Sequence, residues 1–286
     1  MRIHHLNCIS TCPIGGRLMD GRTHGLLRRA RLCCHCLLIE TAHGLVLVDT
    51  GFGTGDVARP QQRLSLFFRG LLAPDLRASM TALGQIQALG WSPADVRHIV
   101  LTHLDFDHAG GIDDFPDAVV HVMADEMDVA GDRTGWLRRQ RFRPQQWARD
   151  GGWRLHRQAA GETWLGLPCV RALEGLPPEI LMVPLPGHTL GHAGVAIQSG
   201  GRWHLLAGDA YFHQDELALD RRRCPPGLRA YQWMMEQDRA QRQASLERVR
   251  DLRGLHASGQ LEIFCSHDVA EFERVAARRF DLPAAP

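Results

Sequence analysis

The sequence predicts a layered α/β domain whose polar clusters lie at the ends of strands. Short apolar runs of strand length alternate with helical spacings along 286 residues. Asp and His residues directly follow several of these runs. The hydrophobic share of 44% is enough to bury a sizeable core. Strands and helices mixed in this order are typical of sheets covered by helices, so one domain over residues 1–286 is expected.

The first elements are predicted to be a hairpin followed by a helix. Two apolar runs at 34–40 and 44–49 flank a short turn, and the second run ends in Asp49 and a glycine-rich segment. Apolar residues three or four positions apart predict a helix over 77–90. Ser92 and Pro93 are typical of a helix start. Further strands are expected at residues 98–101 and 118–123.

The pattern loosens over residues 125–178, where four tryptophans are mixed with many arginines. This segment is expected to be an insertion or cap. Beyond it, residues 239–255 predict a long helix with Leu246 and Val249 on one side. The C-terminal Pro-Ala tail is expected to lack regular structure. Strands are predicted at 180–185, 193–198, 203–207 and 261–265, and a last helix at 269–279.

Charge and cysteine content favour a small-molecule partner in a reducing compartment. A net charge of +1 gives no field that attracts nucleic acid or a membrane surface. No run is long and apolar enough to span a bilayer, and the N-terminus lacks a signal-like core, so a cytoplasmic protein is expected. Cys34 and Cys36, in a cluster of cysteines, are expected on a packed strand face, with a zinc site as the alternative.

The densest group of potential metal ligands lies in the loop after residues 98–101. His103, Asp105, Asp107 and His108 fall within six residues. Carboxylates and imidazoles this close repel or stay unpaired unless a cation organises them, although a solvated polar loop is the alternative. Strand ends that converge on one sheet edge commonly build a site from distant segments. Three more candidates directly follow apolar runs: His188, Asp209 and His267.

These segments resemble the metallo-β-lactamase superfamily, most closely the N-acyl homoserine lactone lactonase-like metallo-hydrolases. The loop reads Thr-His-Leu-Asp-Phe-Asp-His-Ala-Gly-Gly over 102–111 and is followed by Pro-Gly-His, Gly-Asp and Ser-His at 186–188, 208–209 and 266–267. The resemblance spans residues 30–270, although the middle segment has no counterpart. It implies an αββα sandwich of two mixed sheets with helices on both outer faces and the site at one edge.

The resemblance also implies two divalent metal ions that share a hydroxide. The first ion would be held by His103, Asp105 and His188. The second would be held by Asp107, His108 and His267, with Asp209 bridging the two. Zinc is the expected metal. Most of the superfamily has histidine where Asp105 stands, and a harder oxygen ligand there favours manganese or iron, so metal identity stays open.

Several further residues receive expected roles. Asp107 is expected to help orient the attacking hydroxide, and Tyr211 resembles the tyrosine that these lactonases place just after their bridging aspartate, although one residue earlier. His213 is the alternative candidate for the contact with the substrate carbonyl. Asp49 is expected to orient a metal-bound histidine, and His192 to support the site without binding metal. A solvated helix face, or else contact with an anionic substrate, is expected for Arg138, Arg139, Arg141 and Arg143.

The leading functional hypothesis is hydrolysis of a small ester, most specifically a lactone such as an acyl homoserine lactone. The loop resembles the lactonase branch more than the phosphodiesterase or nuclease branches. Thioester hydrolysis of the glyoxalase II type, iron-dependent sulfur dioxygenation and a non-catalytic binding role are the alternatives. The apolar segment 67–72 is expected to belong to the core. The alternatives are that it lines an acyl pocket or a dimer surface, so a homodimer is also possible.

Overall fold

The computed structural model describes residues 1–149, 151–158 and 160–284, and within them two mixed sheets carry the fold. The strands are β1 (Arg2–Asn7), β2 (His35–Thr41), β3 (Gly44–Val48), β4 (Val96–Val100), β5 (Val119–Met123), β6 (Trp153–His156), β7 (Thr163–Trp164), β8 (Leu167–Pro168), β9 (Ile180–Pro184), β10 (Ala193–Ser199), β11 (Arg202–Leu206) and β12 (Leu261–Phe264).

Helices connect and cover these strands. They are α1 (Arg17–Asp20), α2 (Thr54–Ala58), α3 (Pro60–Arg63), α4 (Leu66–Leu72), α5 (Ala82–Ala88), α6 (Ala124–Gly131), α7 (Trp136–Arg141), α8 (Pro144–Trp147), α9 (Pro226–Met235), α10 (Arg239–Asp251), α11 (Arg253–Ala257) and α12 (Val269–Ala276). Short 3₁₀ turns lie at Ala78–Met80, Pro93–Asp95, Ile112–Asp114 and Gln214–Leu217. None of the helices within the described residues is long and apolar enough to cross a bilayer.

The six-stranded sheet has the order β1-β2-β3-β4-β5-β6 and the four-stranded sheet the order β12-β11-β10-β9. In the first sheet, β1 to β3 pair antiparallel and β3 to β6 pair parallel. In the second, β11 and β12 are parallel and the other neighbours antiparallel. A further two-stranded sheet joins β7 to β8.

Alternation along the strands divides the core into layers. In β2, Leu37 packs between the two sheets against residues of β9 and β10, whereas Leu38 packs on the outer face with Ile86 of α5. On the outer face of the second sheet, Leu205 of β11 packs with Leu246 of α10. Helices therefore cover both outer faces, which confirms the predicted αββα sandwich.

The predicted hairpin is confirmed by the antiparallel pairing of β2 with β3. The helix predicted over 77–90 is shorter, because the Thr81 hydroxyl accepts a hydrogen bond from Gly84 N and caps α5 after a 3₁₀ turn. Likewise, the helix predicted over 239–255 is divided at Leu252 into α10 and α11. Part of the Pro-Ala tail, Ala285 and Pro286, lies outside the described residues.

The segment 125–178 contains most of α6, all of α7 and α8, and strands β6 to β8. Its strand β6 pairs with β5 and so extends the six-stranded sheet. Helix α7 ends at Arg141, a residue that reaches the candidate metal centre described below.

Candidate metal centre

The carboxyl ends of four strands bring the candidate ligands together. The loop after β4 carries the cluster from His103 to His108, and the segments after β9, β11 and β12 carry one candidate each. All seven side chains are buried, with exposures of 6% or less: His103, Asp105, Asp107, His108, His188, Asp209 and His267. The structure thus gathers every side chain that the sequence predicts as a metal ligand.

The first group of donor atoms surrounds one oxygen of Asp105. Its Oδ2 lies 3.2 Å from His103 Nε2 and 3.0 Å from His188 Nε2. The Oδ2 atom of Asp209 completes the group at 3.3 Å from His188 Nε2. One ligand atom from each of these four residues can meet within 4.8 Å of the others, which is compatible with a single ion.

The second group shares Asp209 with the first. Asp209 Oδ1 lies 3.4 Å from His108 Nε2 and 3.2 Å from His267 Nε2. Asp107 Oδ2 is 3.9 Å from the same His267 nitrogen. Asp209 Oδ2 lies near His188 of the first group and Oδ1 near His108 of the second, while His267 Nε2 lies 3.2 Å from each oxygen. The Asp209 carboxylate therefore has the geometry of a bridge.

Unpaired atoms show that this donor set fits a cation. His108 Nδ1 lies 2.9 Å from the Asp49 carboxylate and therefore donates its proton there. Nε2 faces Asp209 Oδ1, and neither buried atom has a hydrogen-bond partner among the described residues. Although burial lowers it, the carboxylates of Asp209 and Asp49 raise the pKa of His108 to about 10, so they favour a positive charge at this imidazole. A divalent ion between Nε2 and Oδ1 would supply such a charge.

The electrostatics of the site keep two of its carboxylates ionised. Burial alone would raise the pKa of Asp105, but the guanidinium of Arg141 and the imidazole of His103 hold it well below its usual range. Burial is likewise outweighed at Asp209, where His267 and His108 lower the pKa. Both groups therefore present charged oxygens, as metal ligation requires.

The ligands are held by hydrogen bonds from neighbouring groups. Thr102 donates its backbone N–H and its hydroxyl to Asp49 at 2.8 and 2.7 Å, which fixes the carboxylate that orients His108. His192 Nδ1 donates to the carbonyl of Leu185 at 2.8 Å, and its Nε2 accepts from the backbone N–H of Asp209 at 2.9 Å. Asp49 and His192 thus have the supporting positions that the sequence predicts.

The cysteines of the segment 33–36 are buried and unbridged, as expected for a packed strand face. One of them is also close to the candidate ligands: the sulfur of Cys34, a carboxylate oxygen of Asp107 and a nitrogen of His267 lie within 4.8 Å of one another. Burial and the Asp107 carboxylate raise the pKa of this thiol well above its usual range. Cys34 is therefore a neutral thiol beside Asp107 and His267.

Arg141 is the main residue that sequence reasoning placed wrongly, because a solvated face was expected for the arginines of its helix. It is 1% exposed, and its Nε donates to Asp105 Oδ1. Its other nitrogens donate to the backbone carbonyls of Met235 at 2.5 Å and His188 at 3.3 Å. Of the other three arginines, Arg139 is exposed, and Arg138 and Arg143 are half-buried.

The expected substrate contact of Tyr211 is not what the structure shows. Its side chain is fully buried, and its hydroxyl donates to the Glu271 carboxylate, 3.0 Å from each oxygen. The spacing after the bridging Asp209 directs this residue into the core. The residue that follows it, Phe212, instead stacks on the ring of His267 with centroids 5.0 Å apart.

A different tyrosine, Tyr231 on α9, lies beside the candidate ligands. Its ring meets that of Phe212 edge-on at 6.1 Å. Burial, followed by the carboxylates of Asp107 and Asp105, raises the pKa of Tyr231 well above its usual value. Its hydroxyl makes no hydrogen bond to another described residue. No local motif marks Tyr231, because α9 reaches the site from outside the metal-binding loops.

A cavity of about 410 Å³ opens beside the candidate ligand His267. Its wall includes Phe212, His213, Arg22 and Arg31. His213 Nδ1 accepts the backbone N–H of Asp215 at 3.3 Å, so it is partly committed to capping a turn.

Comparison with known proteins agrees with this arrangement. The sequence matches the metallo-beta-lactamase superfamily over residues 31–257. A probable metallo-hydrolase of Mycobacterium tuberculosis is 41% identical over 268 residues, which cover 94% of this chain and 80% of that protein. The N-acyl homoserine lactonase AiiA of Bacillus thuringiensis subsp. kurstaki is 26% identical over 57% of this chain and 58% of its own.

Solved structures show the same fold. An N-acyl homoserine lactone hydrolase with N-hexanoyl-L-homoserine at its catalytic metal centre superposes with a TM-score of 0.69 at 19% identity, covering 99% of this chain and 98% of that one. With the family match over most of its length and buried His and Asp groups at its strand ends, the chain belongs to the metallo-β-lactamase superfamily of metal-dependent hydrolases.

Proposed function

We propose that this chain is a two-metal hydrolase that opens a small ester, and that its substrate class is the lactones. The observation that carries the two-metal part is the Asp209 carboxylate, whose Oδ2 lies 3.3 Å from His188 Nε2 and whose Oδ1 lies 3.4 Å from His108 Nε2. The buried, unpaired atoms His108 Nε2 and Asp209 Oδ1 support a cation between them. Divalent ions bound here supply a nucleophilic hydroxide at neutral pH and polarise the ester carbonyl.

The protein's own residues hold and orient the reactants. Asp107 Oδ2 lies 3.9 Å from His267 Nε2 in the second group of ligand atoms, so this carboxylate would hold an ion there and help orient the attacking hydroxide. Tyr231, in place of Tyr211, supplies the hydroxyl that contacts the substrate carbonyl oxygen. A donor fixed at that oxygen stabilises the negative charge that develops when the carbonyl is attacked.

Apolar side chains in the wall of the cavity beside His267 favour an ester with a hydrocarbon part. They are Leu32, Phe212 and Leu228. The similarity to N-acyl homoserine lactonases makes acyl homoserine lactones the first lactones to test.

The experiment is a substrate panel with metal-loaded protein. Zinc- or manganese-loaded protein is mixed with acyl homoserine lactones, simple lactones and S-lactoylglutathione, and proton release is followed. We expect ring opening of at least one lactone class, and its loss in Asp209→Asn. Intact lactones in the presence of protein with a filled metal site would contradict the proposal, and thioester cleavage alone would assign the glyoxalase II-type activity.

The two tyrosines can be separated by paired variants. Tyr231→Phe removes only a hydroxyl near the ligands, so we expect kcat to fall about 10- to 100-fold at unchanged metal content. Tyr211→Phe removes a buried hydrogen bond to Glu271, which should cost about 1–2 kcal/mol of the free energy of unfolding while kcat is kept. The reverse pattern would assign the substrate contact to Tyr211.

One observation favours a second candidate. His103 and His188 meet Asp105 at 3.2 and 3.0 Å, and two histidines with one carboxylate are typical ligands of non-haem iron in oxygenases. Protein purified without added metal would then contain one iron per chain and consume oxygen with a persulfide substrate. Iron-loaded protein that consumes no oxygen would remove this candidate.

A further inference from the structure

The two oxygens of Asp105 have different partners, and this difference carries a further inference. Oδ2 faces the candidate ligands His103 and His188 at 3.2 and 3.0 Å. Oδ1 points the other way and accepts a hydrogen bond from Arg141 Nε. The carboxylate can therefore offer a single oxygen to an ion, as a histidine offers a single nitrogen.

Arg141 is fixed in this position by contacts on three sides. Besides Asp105, it donates to the carbonyl of Met235 at the end of α9 and to the carbonyl of His188 in the loop after β9. The side chain is 1% exposed, so it cannot exchange Asp105 for water. A guanidinium keeps its charge under all these conditions and presents its donors in a rigid fork.

The ion pair also changes the charge of the site. The candidate ligands include three carboxylates, Asp105, Asp107 and Asp209, beside four imidazoles. Arg141 contributes one positive charge in direct contact with one of these carboxylates. Together, Asp105 and Arg141 have the net charge of one neutral histidine, and the pair offers one donor atom to the metal.

We propose that Arg141 is a positioning residue for metal binding: it holds Asp105 as a one-oxygen ligand and cancels its charge, so that the two residues replace one neutral histidine. The proposal rests on the proposed metal site and adds to it the mutual dependence of two residues 36 positions apart. Arg141 needs Asp105 because the buried guanidinium has no other carboxylate in contact among the described residues. Asp105 needs Arg141 because Oδ1 otherwise loses the donor that keeps this oxygen turned away from the ion.

The test is a double-variant cycle read by metal binding, without any substrate. Zinc affinity is measured by competition with a chromophoric chelator, and metal per chain by elemental analysis. Arg141→Met leaves Asp105 Oδ1 without its donor, and Asp105→His leaves the guanidinium unpaired. We expect each single variant to bind one of the two ions about 10- to 100-fold more weakly.

The double variant Asp105→His with Arg141→Met restores a neutral pair of residues. We expect its zinc affinity to return to within about threefold of the wild type, a non-additive result that identifies coupling between the two positions. Arg139→Met is the matched control, because it removes the same charge from an exposed position of the same helix and should leave zinc affinity unchanged.

A merely structural role for Arg141 gives a different result. If its contacts with the carbonyls of Met235 and His188 were what matters, the double variant would bind zinc no better than Arg141→Met, and the proposal would be overturned. Should Arg141→Met fail to fold, the comparison of Asp105→His with the double variant still decides, because the double variant must bind more tightly. Wild-type protein that binds no metal would instead reject the proposed function itself.

Discussion

Asp49 acts on the candidate metal centre through a single nitrogen of His108. Its carboxylate accepts from His108 Nδ1 at 2.9 Å and is itself fixed by two hydrogen bonds from Thr102. This contact decides which nitrogen of the imidazole carries the proton, and so leaves Nε2 free to bind a cation. A residue outside the ligand set thereby controls the protonation state of a ligand.

Asp49→Asn tests this control. The backbone at Asp49 is left-handed, with φ of 54°, a conformation that asparagine tolerates, so the fold should persist. The amide no longer enforces a proton on Nδ1, and we expect metal affinity to fall about 10- to 100-fold. Asp117→Asn, at an exposed position, is the control. Unchanged affinity of Asp49→Asn would show that His108 does not depend on this contact.

Prediction from the sequence succeeded at the residues whose roles depend on local spacing. The cluster from His103 to His108 follows a buried strand, and a strand end fixes where such a loop must lie. The partner of Asp105 could not be predicted, because Arg141 is 36 residues away on a helix whose other arginines face solvent or are half-buried. Tyr211 was misplaced because one residue of spacing separates the core from the site.

The turns that follow the strands determine the positions of the candidate ligands. After β11, Gly208 has φ of 57°, and a Cβ atom added there would lie 2.5 Å from His192 Nε2. That nitrogen holds the backbone N–H of Asp209. The glycine is therefore required both for its backbone conformation and for the close approach of His192.

Two glycine variants separate these requirements. Gly200 has nearly the same backbone angle, φ of 59°, but nothing within 4 Å of an added Cβ. Alanine at either position should cost about 1–2 kcal/mol of stability from left-handed strain. We expect only Gly208→Ala to lose metal as well, because it displaces His192 and with it Asp209. Equal metal content in the two variants, measured by elemental analysis, would refute the role of this turn.

Elements with strong periodicity were predictable, and elements defined by distant pairing were not. Strands β2 to β5 and β9 to β12 are largely apolar runs bounded by turn residues, so their positions follow from the sequence. Strand β1 has the polar residues His4 and His5 in its middle and is held at the sheet edge by contacts with β2, such as His4 to Glu40 at 2.6 Å. Helix α9 buries Leu228, Gln232 and Met235 at helical spacing, but it was not predicted.

Across the whole molecule, buried neutral histidines connect stability to pH. His121 on β5 lies 3.0 Å from His98 on β4 and 3.0 Å from His156 on β6, as a chain of hydrogen-bonded imidazoles. Burial, followed by repulsion from His156 and His98, lowers the pKa of His121 from 6.5 to about 3. Between these two pKa values, His121 is therefore neutral in the folded protein and protonated in the unfolded chain.

The sign of the pH dependence follows from this pKa. Between pH 6.5 and about 3, the unfolded state binds a proton at His121 and the folded state does not, so stability falls as pH falls. We expect His121→Asn to reduce the slope of the free energy of unfolding against pH by up to about 1 kcal/mol per pH unit. The measurement is denaturant unfolding from pH 7 to about 4.5 with chelator present, and exposed His43→Asn is the control. An unchanged slope in His121→Asn would contradict this prediction.

The two sheets and their covering helices bring four strand ends to one edge, and the central claim is that the side chains there bind two metal ions. The most direct test is the metal content of protein equilibrated with excess zinc and separated from unbound ions by gel filtration. We expect about two ions per chain, and weaker binding of both ions in Asp209→Asn, because its carboxylate faces both groups. A wild-type content of one ion or none at saturating zinc would contradict the account.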